Sequence, residues 1–199
     1  MTAPWIQTTS GVAFDLLAPT VEMVRAADIA HSLARINRFS GHTLGEPYSV
    51  AHHSMLVADL LASWGAPVAV VREGLLHDAP EAYYGDTVSP VKAAWRGPED
   101  DPHAIVPLWE RVNRNVDRVV RKALALPSDE TAIVKRADLV ALAIERRDLM
   151  APCERDWCLP EYAPMTPRIV GGMLTRWTVA RDDFANRLAE LDAQIAGST

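Results

Sequence analysis

The sequence predicts an all-α protein, a single helical bundle spanning residues 1–199. Three observations carry this. Apolar residues recur at helical spacing through most of the chain, no segment shows a convincing two-residue alternation, and Gly or Pro punctuates segments of helix length. With 199 residues, 49% of them hydrophobic and 23% charged, the chain supplies one sizeable core and argues against a second independent domain.

Residues 1–20 are turn-rich and open to an extended conformation. Val24, Ile29, Leu33 and Ile36 then predict a helix to about residue 37, and residues 38–47, with two glycines and Pro47, break the pattern into a loop. Ser49 is a suitable N-cap for a helix to about residue 64, in which His53, Val57, Leu60, Leu61 and Trp64 share one inward face. Gly65-Ala66-Pro67 ends that helix and begins the next, which carries Val71, Leu75 and Leu76 up to His77-Asp78. Pro80 removes a backbone donor and predicts a kink or restart. Gly85-Asp86-Thr87 reads as a turn before a short helix around residues 91–95. Residues 96–102 are polar and mobile by composition. Val106, Trp109, Val112, Val116, Val119 and Ala123 mark a long amphipathic helix ending near Pro127. Ser128 is the expected cap of the following helix, through Ile133, Val134, Ala137, Val140, Ala141 and Ile144, whose apolar character Asp138 interrupts. A loop containing Pro152, Pro160, Pro164 and Pro167 precedes a final helix over residues 168–195.

A net charge of −6 argues against a broad surface for a nucleic acid polymer but allows a locally basic pocket for a small phosphorylated ligand. No apolar run approaches the roughly 20 residues a bilayer span needs, and the opening MTAPWIQTTSG lacks a signal peptide's features, so a cytoplasmic location is expected. Cys153 and Cys158 are too few for a zinc ribbon or a disulfide framework; two thiols are expected, a local bridge being the alternative.

Four polar residues fall on or beside core-facing stripes: His53, the pair His77-Asp78, and Asp138. Singly, each has an ordinary reading: His53 as a hydrogen-bonded core histidine, Asp138 as the partner of Arg136 or Arg35, His77-Asp78 as a solvent-facing helix end. Burying a neutral polar group without a partner costs about 1–3 kcal/mol, and a charged one more. A shared cation would satisfy all four, and two imidazoles with two carboxylates suit one divalent transition metal ion (Mn²⁺, Co²⁺, Fe²⁺, Ni²⁺ or Zn²⁺, with Mg²⁺ possible) better than Ca²⁺.

The order His53, Leu75-Leu76-His77-Asp78, Lys135-Arg136-Ala137-Asp138 resembles the H…HD…D signature of the HD-domain metal-dependent phosphohydrolases. The words Ile36-Asn37-Arg38-Phe39, His53-Ser54, His77-Asp78-Ala79-Pro80-Glu81, Gly85-Asp86 and Ser89-Pro90-Val91-Lys92 resemble successive motifs of the bacterial 5′-deoxynucleotidases and their phage relatives, which include deoxynucleoside triphosphate triphosphohydrolases. The resemblance covers about residues 25–150. It implies an HD-type helical bundle, metal ligation by His53, His77, Asp78 and Asp138, and catalytic roles for Asp78 and for Glu81 beside the attacking water or the phosphate. It further implies phosphate contact by Arg38, sugar contact by Asp86, base contact by Phe39 where a tryptophan often stands, and a second positive charge from Lys92. Glu81, close to His77 and Asp78 in sequence, has the reach for this; its alternative is a first-turn carboxylate favoured by the helix dipole. Asp86 reads equally as an Asx-turn residue, Lys92 as a solvated helix residue, and His42 as either a phosphate contact or a surface histidine. His52 points about 100° away from His53 and should not share its metal, so a binuclear centre is not expected. The Gly-Tyr-Pro word of the cyclic-dinucleotide branch is absent after His77-Asp78. The implied activity is release of phosphate from deoxynucleoside monophosphates, with triphosphate release from a dNTP such as dATP as the alternative enzyme and a catalytically silent nucleotide-binding module as the alternative of another kind. A small-molecule nucleotide is the expected partner, and a dimer or higher homo-oligomer the expected assembly.

Overall fold

The computed structural model describes residues 4–96, 106–159, 169 and 176–198. The architecture is mostly helical and single-domain, as the periodicity predicts. One departure comes first: strands β1 (Trp5–Gln7) and β2 (Ala13–Asp15) pair antiparallel, with Ile6 opposite Phe14. Three-residue strands are too short to show an alternation. Their anchoring is tertiary: Phe14 is buried and stacks on Tyr83, and Ser10 donates to the Asp28 carboxylate from both its backbone N–H and its hydroxyl.

Helix α1 (Ala26–Leu33) ends earlier than the apolar spacing suggests. The Arg38 N–H donates to the Tyr48 carbonyl and the Val50 N–H to the Ile36 carbonyl, so the chain around Asn37 is extended against Ser49 rather than helical. A short turn, Arg38–Gly41, follows, in which Phe39 and Ser40 both take left-handed backbone conformations (φ 53° and 52°) that non-glycine residues adopt at a cost.

Ser49 caps helix α2 (Val50–Ser63) as expected: its hydroxyl accepts the His52 N–H, and the His52 ring accepts the Ser49 N–H. His52 is therefore spent on the cap, leaving His53 facing the core. Gly65 (φ 71°) and Pro67 make the turn into α3 (Val68–Leu76). Gly74 lets α3 pack closely on α2, since a Cβ there would collide with Leu61 Cδ1. Residues 77–80 leave the helix, and α4 (Glu81–Tyr84) restarts after Pro80. Gly85, at φ 85° and ψ 159°, makes the turn toward α5 (Ser89–Arg96).

Helix α6 (Val106–Ala123) buries Val116, Val119 and Val120. Helix α7 (Ala132–Leu149) corrects the expected cap: Thr131, not Ser128, occupies the N-cap position, while the Ser128 hydroxyl bonds Asp129. The buried carboxylate of Glu73 in α3 decides this by accepting both the Thr131 N–H (2.8 Å) and its hydroxyl (2.9 Å). The final helix, α8 (Trp177–Ala196), begins later than residue 168; Ile169 is not helical. The core forms where α2 packs against α3 and α7, with α8 laid across α1, α2 and α3 through Ala180, Phe184, Leu188 and Leu191. Residues 97–102 of the expected mobile stretch, and Pro160, Pro164 and Pro167, lie outside the described residues. Cys153 and Cys158 are exposed free thiols. Among the described residues, no helix is long and apolar enough to cross a membrane.

Candidate metal centre

Helix α2 supplies His53 from its first turn, the end of α3 supplies His77 and Asp78, and α7 supplies Asp138 from its second turn. His53, His77 and Asp138 form a cluster able to hold a metal ion, with one donor atom from each lying within 4.8 Å of the others. The His53 and His77 Nε2 atoms are 3.3 Å apart, and Asp138 Oδ1 lies 3.1 Å from the first and 4.0 Å from the second. Bonds of about 2.1 Å to one cation place neighbouring donors about 3 Å apart and opposite donors about 4.2 Å apart, so the separations fit. Asp78 lies beside both imidazoles, its Oδ2 at 3.2 Å from His77 Nε2 and 3.6 Å from His53 Nε2, while also facing Arg38 Nη1 at 3.6 Å. Neither arginine considered as a partner for Asp138 is placed for it: Arg35 lies over Trp177 and Arg136 over Trp64.

The outward nitrogens identify the chemistry of the inward ones. His77 Nδ1 lies 2.8 Å from the Gly74 carbonyl, which can only accept, and His53 Nδ1 lies 2.6 Å from the Glu145 carboxylate. Both Nδ1 atoms therefore carry hydrogen, and a neutral ring presents an Nε2 lone pair. The two Nε2 atoms face each other in a buried site with carboxylate oxygens around them. Protons on Nε2 shared with Asp78 and Asp138 can satisfy this arrangement in the absence of metal, and a cation able to take both lone pairs can replace them.

The electrostatics tie the imidazoles to the surrounding carboxylates. Burial opposes charge on His77, but Asp78 and Asp138 outweigh it and push its pKa up to about 9. Burial and Arg38 oppose charge on His53; Glu145 and Asp138 overcome them and raise it. Burial alone would raise Asp78, Asp138 and Glu145, yet the imidazoles, joined at Asp78 and Glu145 by Arg38, hold all three below their ordinary values. Glu81 behaves oppositely: burial, then Asp78 and Asp86, lift its carboxyl well above the ordinary range.

A cavity of about 670 Å³ opens beside the cluster, and Arg38, Phe39, His42, Asp78, Glu81, Asp86, Lys92 and Asp138 all contribute to its wall. The positions nominated from sequence for substrate contact are thus gathered around one space. Within it, Arg38 Nε and Glu81 Oε2 are buried with no hydrogen-bond partner in the protein. Sequence reasoning missed Glu145, which is fully buried and joins His53 to Arg38 (Oε2 to Nη2, 3.2 Å). Its signal was spacing, since it follows Asp138 by two helical turns on α7 and so shares its face. It also missed Trp157 and Arg155 in the cavity wall. Glu130 was missed as well; burial raises its carboxyl against the opposing pull of His77.

A helical domain with a buried cluster of two histidines and an aspartate, able to bind a metal, fits an HD-type fold. No family model matches the chain. It is 36% identical over 162 residues to the uncharacterized protein YfdR of Escherichia coli strain K12, a match covering 81% of this chain and 82% of that protein. It is likewise 36% identical over 152 residues to an uncharacterized protein of Rhodobacter capsulatus, covering 75% and 74%. The chain belongs to the family that includes these two bacterial proteins.

Proposed function

We propose that this protein is a metal-dependent phosphohydrolase of small deoxynucleotides, acting as a 5′-deoxynucleotidase on deoxynucleoside monophosphates. The observation that carries the reading is the placement, beside a pair of converging imidazole nitrogens, of a cavity holding two unpartnered buried groups of opposite character, Arg38 Nε and Glu81 Oε2. His53, His77, Asp138 and the adjoining Asp78 would hold the cation. Such a cation supplies Lewis acidity toward a phosphoryl oxygen and lowers the pKa of water.

The protein's own groups divide the remaining work. Arg38 stays charged, because Glu145, Asp78, Asp86 and Asp138 together outweigh its burial, and its free Nε–H can donate to a phosphate oxygen. Burial and its carboxylate neighbours raise the proton affinity of Glu81, so that its carboxylate can take the proton of the attacking water and hand that same proton to the leaving oxygen. Asp86 offers a carboxylate to a sugar hydroxyl, and Lys92 and His42 offer further donors from the same wall. That Lys92 shares the cavity with Arg38 also favours a second reading, in which a dNTP is bound and triphosphate released.

A screen of dNMPs and dNTPs with Mn²⁺, Co²⁺ and Mg²⁺, with products identified by phosphorus NMR, separates the two readings. The Glu81→Gln variant is expected to keep its bound metal and to lose roughly 10²- to 10⁴-fold in turnover. Tight nucleotide binding without turnover, unchanged by Glu81→Gln, would instead identify a silent nucleotide-binding module. If no nucleotide is either bound or hydrolysed, the assignment fails.

A further inference from the structure

Polar groups of the cavity account for a phosphate and a sugar; its wall also carries two aromatic rings, one of them from a residue outside every motif. In the stretch after α7, residues 151–158 are exposed except Trp157, which turns into the cavity wall. Its ring centroid lies 5.9 Å from that of Phe39, at an interplanar angle of 49°. The two rings make an open corner rather than a closed stack.

Both walls of the corner are held in place. Phe39 owes its position to a left-handed backbone and to Arg38, whose guanidinium carbon lies 5.4 Å from the ring centroid. Trp157 is backed by Arg146, 5.4 Å from its ring; Arg146 pairs with Asp156 at 3.4 Å, and Asp156 accepts the Cys158 N–H at 3.1 Å. Cys158 is itself left-handed, at φ 52°. Strained backbone on both sides, bridged by a salt link to α7, is more structure than a solvent-facing tryptophan needs. Arg38 joins the polar groups to the rings, lying 3.6 Å from Asp78 and under the Phe39 ring.

We infer that Trp157 supplies the second wall of a subsite for a flat heteroaromatic ring, the nucleobase of the nucleotide, beside Phe39, whose base contact the resemblance already implies, and that Trp157 is the specificity-determining residue that makes the enzyme prefer nucleotides over base-free sugar phosphates. This rests on the phosphohydrolase reading for its catalytic consequence, but binding of the base does not. Arg146 and Asp156 are positioning residues that hold the tryptophan.

The test compares a dNMP with 2-deoxyribose 5-phosphate, which has the same phosphate and sugar but no base, in the wild type, Trp157→Ala and Trp157→Phe. Base-on-aromatic stacking corresponds to roughly 5- to 150-fold. Trp157→Ala should collapse the ratio of kcat/KM for dNMP to that for 2-deoxyribose 5-phosphate by such a factor, mainly through KM, and Trp157→Phe should restore most of it. Calorimetric binding of the two ligands to metal-loaded protein forms the second arm. An unchanged ratio in Trp157→Ala, or an equal loss on both substrates, overturns the subsite and leaves the hydrolase reading intact. Trp157-dependent dNMP binding with no hydrolysis of either ester supports the subsite and removes the hydrolase reading. Absence of both binding and hydrolysis overturns both.

Discussion

Glu145 is the side chain on which the candidate metal centre and Arg38 both lean. It is fully buried, takes the His53 Nδ1–H at 2.6 Å, and faces Arg38 Nη2 at 3.2 Å. Glu145→Ala would leave a buried imidazole N–H without a partner and take from the guanidinium its nearer carboxylate, leaving Asp78 at 3.6 Å; Glu145→Gln keeps an acceptor for His53 but removes the charge opposite Arg38. Supporting residues of this kind change metal affinity by about 10- to 100-fold. Chelator-competition titration should show Glu145→Ala losing within that range and Glu145→Gln losing less; an alanine variant that binds metal like the wild type would show that His53 does not need the carboxylate. The candidate ligands themselves were legible because a histidine on an apolar face and an aspartate inside an apolar helix contradict their surroundings. Glu145 was not, because the following Arg146-Arg147 give it the look of an ordinary charged helix face, and its partner His53 lies 92 residues away. Trp157 stayed hidden in a Pro-containing segment with no period to read.

Helix ends show the same division. Ser49, Gly65 and Pro67 delimit α2 and α3 through local chemistry, and each was readable from a few neighbouring residues. The ends that went wrong depend on distant partners: α1 stops because residues 36–38 bond to residues 48–50, and α7 starts at Thr131 because Glu73 of α3 takes both of its donors. That second link also has a consequence for the site. His77 lies one turn beyond Glu73, and Asp138 lies two turns beyond Thr131, so the clamp sets the spacing of two candidate metal ligands. Glu73→Ala removes both acceptors from a part-buried N–H and hydroxyl and should cost about 1–3 kcal/mol. Thr131→Val keeps the backbone bond and should cost only about 1 kcal/mol. Denaturant unfolding of the two variants checks the order, and the larger loss should be accompanied by weaker metal binding. A greater effect from Thr131→Val would show that the hydroxyl, not the carboxylate, fixes the helix start.

For the molecule as a whole, the cluster links stability, pH and metal. In protein kept metal-free by chelator, His77 titrates at about 9 against an ordinary value of 6.5. A raised imidazole contributes stability that is complete below the ordinary value and disappears as pH rises through the folded one. At ~1.4 kcal/mol per pH unit this amounts to on the order of 3 kcal/mol. His53 shifts in the same direction, and so do Glu81 and Asp86, whose raised carboxyls favour the folded state in acid and lose that advantage as they ionise. Asp78, Asp138 and Glu145 act oppositely, but their loss begins only as pH falls below the ordinary carboxylate range. Chelated protein should therefore lose stability steadily from about pH 6.5 to 9, by several degrees in Tm at the ~2–4 °C per kcal/mol expected for a chain of this size. Metal binding has the reverse dependence, since ligating imidazoles must first give up their protons. The gap in Tm between Mn²⁺-loaded and chelated protein should thus widen across the same window, and His77→Asn should flatten the chelated profile. A gap independent of pH in the wild type would mean that the cation does not replace protons on these imidazoles, and the metal centre would have to be sought elsewhere in the protein.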